Sequence, residues 1–208
     1  MSMAAQTTSG PGRRATYQDV LDAPPEFIAE ILDGELVLSP RPTGRHGTSI
    51  SVLGSDLLGP YLRGRGGPGG WWILFEPEVH LGEDVLVPDL AGWRRERMPT
   101  APHAAFESLA PDWVCEVLSP STARRDRIHK LRIYAREGVR HAWLVDPLER
   151  TVEVYRLQGE QWLLVSAHEG DEWMRAEPFD AVEIDLVSLW GEERTAPEVP
   201  ERGGIAGP

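Results

Sequence analysis

Residues 113–146 read WVCEVLSPSTARRDRIHKLRIYAREGVRHAWLVD, and this stretch decides the fold class. Trp113–Leu118 is a short apolar run rich in aromatic and β-branched residues, the composition of a buried strand. Ser119-Pro120-Ser121-Thr122 punctuates it and supplies a helix cap. The next residues, from about 123 to 137, carry helical spacing that Gly138 closes. His141–Asp146 is a second short buried strand. An αβ crossover of this kind predicts an α/β domain with a mixed sheet and a helix on each face.

The neighbouring segments extend that reading in both directions. Thr16 is placed to cap a short helix through Leu21, stopped by Pro24 and Pro25. Phe27–Leu32 and Glu35–Leu38 flank Asp33-Gly34, a dipeptide that favours a type I′ hairpin turn. Apolar residues at Ile50, Leu53, Leu57, Leu58, Tyr61 and Leu62 recur at helical intervals and end in a glycine-rich run. Two strands, Trp71–His80 and Val85–Trp93, are expected around Gly82-Glu83-Asp84. Downstream, segments 151–157, 161–167 and 182–187 read as an antiparallel meander. Residues 1–15 and 191–208 read as disordered tails, which leaves one domain at 16–190. A chain of 208 residues is long enough for one such domain to bury a core without disulfides.

Composition narrows the function. The net charge is −12, from 33 acidic and 21 basic residues, so the surface is not a general nucleic-acid coat. The surplus acid points to a metal-binding centre or to solubility alone. A single cysteine excludes an internal disulfide and a cysteine-rich zinc site, and makes a reducing cytoplasm the default. The six histidines show no zinc-protease spacing. No apolar run is long enough to span a membrane, and the N-terminus carries no secretory apolar region. Asparagine is absent, which removes mechanisms that require one, and Lys130 is the only lysine beside 20 arginines.

Acids and a base interrupt three apolar segments. Asp89 lies within Val85–Ala91, Glu116 within Trp113–Leu118, and Asp126 and Lys130 within the following helix. A carboxylate buried as an isolated ion is costly, so each needs a partner. Two strands with one carboxylate each can hold a divalent cation such as Mg²⁺, and a nearby lysine can orient a water or stabilise developing charge. Asp126, Lys130 and Tyr134 step by four and form one ridge. Beside it runs an apolar stripe, Ile128, Leu131 and Ala135, on which the helix is expected to pack, with Lys130 at its boundary. The plainer alternative makes Asp126–Lys130 a surface pair, Asp89 a strand end and Glu116 the partner of an arginine. Arg124, Arg125 and Arg127, with Arg132 and Arg136, form the best basic patch for phosphates, or else a solvated helix face. Glu30 and Glu78 are weaker candidates for the cleft. Cys115 adjoins Glu116 but faces the other side of its strand and reads as a small buried hydrophobe.

The order Pro88-Asp89, Glu116-Val117-Leu118-Ser119-Pro120-Ser121-Thr122, Asp126, Lys130, Tyr134, Gly138-Val139 and Trp143-Leu144-Val145-Asp146-Pro147 resembles the Uma-two family. These are endonuclease-like proteins of the PD-(D/E)XK superfamily. Upstream, Asp33-Gly34-Glu35-Leu36-Val37, Ser39-Pro40 and His46 fit the same pattern, so the resemblance runs over about 16–190. It implies a restriction-endonuclease-like αβββαβ core, with the hairpin before it and the meander after it. It also implies hydrolysis of DNA phosphodiester bonds with Mg²⁺, or with Mn²⁺ in its place. Asp89 and Glu116 match the metal-binding acids, the Val117 carbonyl is the usual third ligand, and Glu35 and His46 match further cleft positions, with Asp126 as an accessory acid. The simplest superfamily pattern has a lysine two residues after Glu116, where this chain has Leu118; Lys130 matches the displaced position of related families. Lys130→Ala is then expected to abolish cleavage and leave the fold intact. DNA is the expected substrate, and a homodimer through an exposed face of the hairpin or meander is the expected assembly. The main alternative is a catalytically inactive nuclease fold that binds nucleic acid or a protein; a metal-dependent hydrolase of another substrate is the third reading.

Overall fold

The structure, a computed structural model, describes residues 6–7, 13–41 and 44–194. The expected tails at 1–15 and 191–208 lie largely outside them. Within the first, Gln6–Thr7 (β1) runs antiparallel to a later strand, and the Ala15 N–H bonds the Gly34 carbonyl.

The expected α1 is present at Tyr17–Leu21, and Asp19 accepts from the Thr16 backbone N–H and hydroxyl. Strands β2 (Phe27–Leu32) and β3 (Glu35–Pro40) form the expected hairpin. Asp33 and Gly34 take φ of +56° and +86°, as a type I′ turn requires. Helix α2 covers Arg45–Leu57 and continues as a π-turn over Leu58–Leu62, where Pro60 has no N–H to give an α-helical ladder.

The next two expected strands each break in the middle. Trp71–His80 becomes β4 (Trp71–Phe75) and β5 (Val79–Leu81), and Val85–Trp93 becomes β6 (Asp84–Leu86) and β7 (Leu90–Arg94). The breaks face each other at Pro77 and Pro88, neither of which can donate to a ladder. Beyond them the hairpin splits between two sheets: β4 pairs with β7, and β5 with β6. Asp89 therefore sits at the sheet junction rather than inside a strand.

One sheet has the order β1-β3-β2-β6-β5. The other adds β8 (Trp113–Val117), β9 (His141–Asp146), β10 (Thr151–Gln158) and β11 (Gln161–Glu169), in the order β11-β10-β9-β8-β7-β4. Its central pair β8–β9 is parallel and its other pairs are antiparallel. This is the expected mixed sheet. The meander, however, ends at β11. Segment 182–187 instead supplies β13 (Ile184–Asp185), which pairs with β12 (Trp173–Met174), and then a helical turn, Leu186–Leu189. Asp185 caps that turn by accepting from Val187 N at 3.1 Å.

The two faces of the mixed sheet carry separate cores. Trp113, Cys115 and Val117 pack with Ile50, Leu53 and Leu57 of α2. Val114 and Leu118 pack with Leu131, Ile133 and Tyr134 of α3 (123–136). Alternation along β8 puts Glu116 on the α3 face. On the α2 face, Gly92 pairs with Trp113 and is wedged between rings: a Cβ there meets atoms of Trp113 and Trp71 at 3.2 Å each. Both rings are buried. Gly92→Ala is therefore expected to cost roughly 1–3 kcal/mol, read by urea denaturation. An unchanged midpoint would show that the rings have room to shift.

Helix α3 departs from the expected packing. Its Asp126–Lys130 segment is a π-turn between the α-helical stretches Ala123–Arg125 and Leu131–Arg136. The wider turn changes the angular step between residues. Ile128, assigned to the packed stripe, is 54 % exposed, whereas Asp126, Lys130 and Tyr134 are buried. The polar ridge faces the sheet because the strands supply partners for it.

Candidate active site

Four elements converge where the two sheets part. Asp89 Oδ2 accepts from Val117 N at 2.7 Å and Oδ1 lies 3.1 Å from His46 Nε2, at the first turn of α2. The Asp89 carbonyl accepts from Glu76 N at 3.0 Å, so both its backbone and side chain are tied. Glu116, projecting from β8, accepts from Lys130 Nζ at 3.1 and 3.2 Å and from the Tyr134 hydroxyl at 2.6 Å. Glu30, projecting from β2, lies 2.8 Å from Lys130 Nζ and accepts from Val87 N at 2.9 Å. Asp126 stands 3.9 Å from the same ammonium, and the Val87 carbonyl 3.5 Å.

All five charged groups (Glu30, Asp89, Glu116, Asp126 and Lys130) are less than a tenth exposed. They place four carboxylates against one ammonium and one imidazole. Burial pushes the Glu116 carboxyl well above the usual range, although Lys130 pulls it down. Burial likewise carries Asp126 up to about 6. Burial alone would lower the Lys130 ammonium; Glu116, Glu30 and Asp126 outweigh that and hold it protonated. The surplus is thus negative charge, and protons or a cation must offset it.

The cleft between these groups has a volume of about 30 Å³, enough to hold water. Among the described residues, no three His, Cys, Asp or Glu side chains stand ready-grouped as a metal-binding set. The oxygens of Asp89 and Glu116 are instead spent on His46, Val117 N, Lys130 and Tyr134. The donor chemistry nevertheless fits a hard cation: two carboxylates and a strand carbonyl. In an extended strand the N–H and C=O of one residue point to the same side, so the Val117 carbonyl shares the Asp89 side with its N–H.

The sequence-derived residues divide cleanly. Asp89, Glu116, Lys130, Val117, His46 and Asp126 come together. Glu35 does not: it is exposed and lines a separate cavity with Arg124 and Arg125. Arg125 reaches the cleft rim, donating to Ser39 Oγ at 2.7 Å. Arg124 is exposed and makes no ion pair among the described residues. Arg127 donates to both Glu153 oxygens at 2.9 Å. Glu78 is engaged with His80 at 2.7 Å, away from the ammonium. Glu30, ranked low from sequence, is central. Its signal was the one that marked Asp89 and Glu116, a carboxylate inside an apolar run, and Tyr134 was marked by its step of four from Lys130.

Comparison with known proteins follows the same line. No curated protein matches the chain. Among solved structures, it is similar to one described as a "putative nuclease belonging to DUF820" from Anabaena variabilis ATCC 29413. The identity is 24 %, the alignment covers 85 % of this chain and 98 % of that one, and the TM-score is 0.64. At that identity the likeness concerns the fold. A family model described as "Putative restriction endonuclease" matches residues 14–187. That span takes in the hairpin, the whole mixed sheet and every residue of the acid cluster, and the chain belongs to this family, Uma2.

Proposed function

We propose that this protein is a metal-dependent endonuclease that hydrolyses DNA phosphodiester bonds, with Mg²⁺ or Mn²⁺ held by Asp89, Glu116 and the Val117 carbonyl. The observation that carries the reading is the buried surplus of carboxylates around a single ammonium. A bound divalent cation would polarise the phosphate and lower the pKa of the attacking water. The protein's own groups do the rest. Lys130, held charged by three carboxylates, donates to a phosphate oxygen or to the water. Glu30 and the Val87 carbonyl keep that ammonium in place independently of Glu116. His46 buttresses Asp89. Arg125 at the rim, with Arg124 beside it, is placed for flanking phosphates.

A second reading, an inactive nuclease fold that binds nucleic acid or protein, is favoured by one observation: the oxygens of Asp89 and Glu116 are already engaged. Incubation of supercoiled plasmid with Mg²⁺ or Mn²⁺ separates the two. Metal-dependent nicking by the wild type, lost in Asp89→Ala, is the expected result. No nicking, together with no heat of metal binding in calorimetry, would establish the binding module instead.

A further inference from the structure

A second cavity opens beside the acid cluster and shares its Ile28 and Val87 walls. Its volume is about 280 Å³, near the lower end of the ~300–1,000 Å³ typical of small-molecule pockets. Ala23, Pro24, Pro25 and Phe27 give it an apolar lining, and Glu76 gives it an acceptor; Glu78, also in the lining, is engaged with His80 at 2.7 Å. Glu76 is held at φ +43°, a left-handed conformation that costs a residue with a side chain energy. Its N–H bonds the carbonyl of Asp89. The strained residue thus fixes the cavity wall and the proposed metal ligand together.

The chemistry inverts across the acid cluster. On the far flank, Arg124, Arg125 and His129 line a cavity of about 300 Å³ with a single carboxylate, Glu35, a basic balance suited to phosphates. On the near flank the two glutamates disfavour a phosphate chain; Arg41 lies 3.6 Å from Glu76, and His80 lies 2.7 Å from Glu78. An apolar lining beside a carboxylate acceptor, Glu76, suits a nucleobase: its faces pack on apolar side chains, and its exocyclic amine donates to the carboxylate.

We propose, resting on the nuclease reading above, that this cavity receives an unstacked nucleobase with an exocyclic amine beside the scissile phosphate. The preferred substrate is then single-stranded or locally unpaired DNA. A continuous duplex keeps its bases stacked and would have to present backbone to Glu76 and Glu78.

The test is fluorescence anisotropy with labelled oligo-dC, oligo-dT and a duplex of equal length, in Ca²⁺ to suppress cleavage. The wild type is expected to bind oligo-dC more tightly than oligo-dT, which lacks the amine, and more tightly than the duplex. Ala23 lies at the cavity wall outside any helix or strand. Ala23→Trp fills the cavity and is expected to weaken oligo-dC binding roughly tenfold, the scale of one lost stacking contact, without weakening duplex binding. Should Ala23→Trp misfold, Glu76→Gln must narrow the dC–dT difference. A duplex preference, or an unaffected Ala23→Trp, overturns the proposal while plasmid nicking leaves the nuclease standing. A wild type that binds no DNA overturns both.

Discussion

Replacing Lys130 by alanine is expected to abolish plasmid cleavage and, at neutral pH, to destabilise the protein by about 3–5 kcal/mol, the cost of leaving a buried pair without one partner. The second half of that outcome departs from the expectation of an intact fold. A lysine at a helix boundary is dispensable to the fold; this one is 4 % exposed and contacts Glu30, Glu116 and Asp126. Without it the three carboxylates face one another in a cleft of about 30 Å³. They relieve the repulsion by taking up protons, so the loss should grow as pH rises. Lys130→Met separates packing from charge, because it keeps the stem and removes the ammonium. Both variants should show a deficit in urea denaturation that shrinks toward acid. A Lys130→Met protein of wild-type stability that still nicks DNA would remove the residue from the site. The same geometry accounts for one lysine in a chain of 20 arginines. A compact ammonium reaches Glu30, Glu116 and the Val87 carbonyl at once, where a planar guanidinium would not fit.

The legible parts were those where a local pattern and its tertiary use coincide. The Asp33-Gly34 turn, the β8–α3–β9 crossover and the need of Asp89, Glu116 and Lys130 for buried partners follow from residue type and spacing. Three features did not, each for a physical reason. Helical spacing assumed an α-step throughout 123–136, and the π-turn at Asp126–Lys130 turned Ile128 outward and the polar ridge inward. The run Val85–Trp93 looks like one strand because its apolar content does not register that Pro77 and Pro88 split the hairpin between sheets. Glu30 was underweighted because a hairpin reads as an appendage. Only the pairing of β2 with β6, at Ile31 and Val85, brings its carboxylate to Val87 N and Lys130.

A divalent cation is expected to raise the Tm of the wild type, more at about pH 8 than at about pH 5, and Asp89→Asn to erase that rise together with cleavage. The sign follows from the buried acids. Burial carries Asp126 to about 6 and lifts Glu116 above its usual value, so the folded state holds protons that the unfolded chain releases. Stability from Asp126 is complete below its ordinary value near 3.8 and is lost as pH rises through about 6. Above that, the charge on Asp126 strains the metal-free fold, and a cation in the cleft no longer competes with the Asp126 proton. Asp89→Asn removes one charge from the surplus but keeps an oxygen for Val117 N. The metal-free variant should therefore melt at or above the wild-type Tm at about pH 8, while cleavage falls by roughly 10²–10³-fold or more, the scale of losing one transition-state contact. Such a pairing, more stable and inactive, marks a group retained for chemistry at the expense of the fold. A rise in Tm of equal size in Asp89→Asn would place the cation elsewhere. A rise independent of pH would mean that it does not compete with the protons of Glu116 and Asp126.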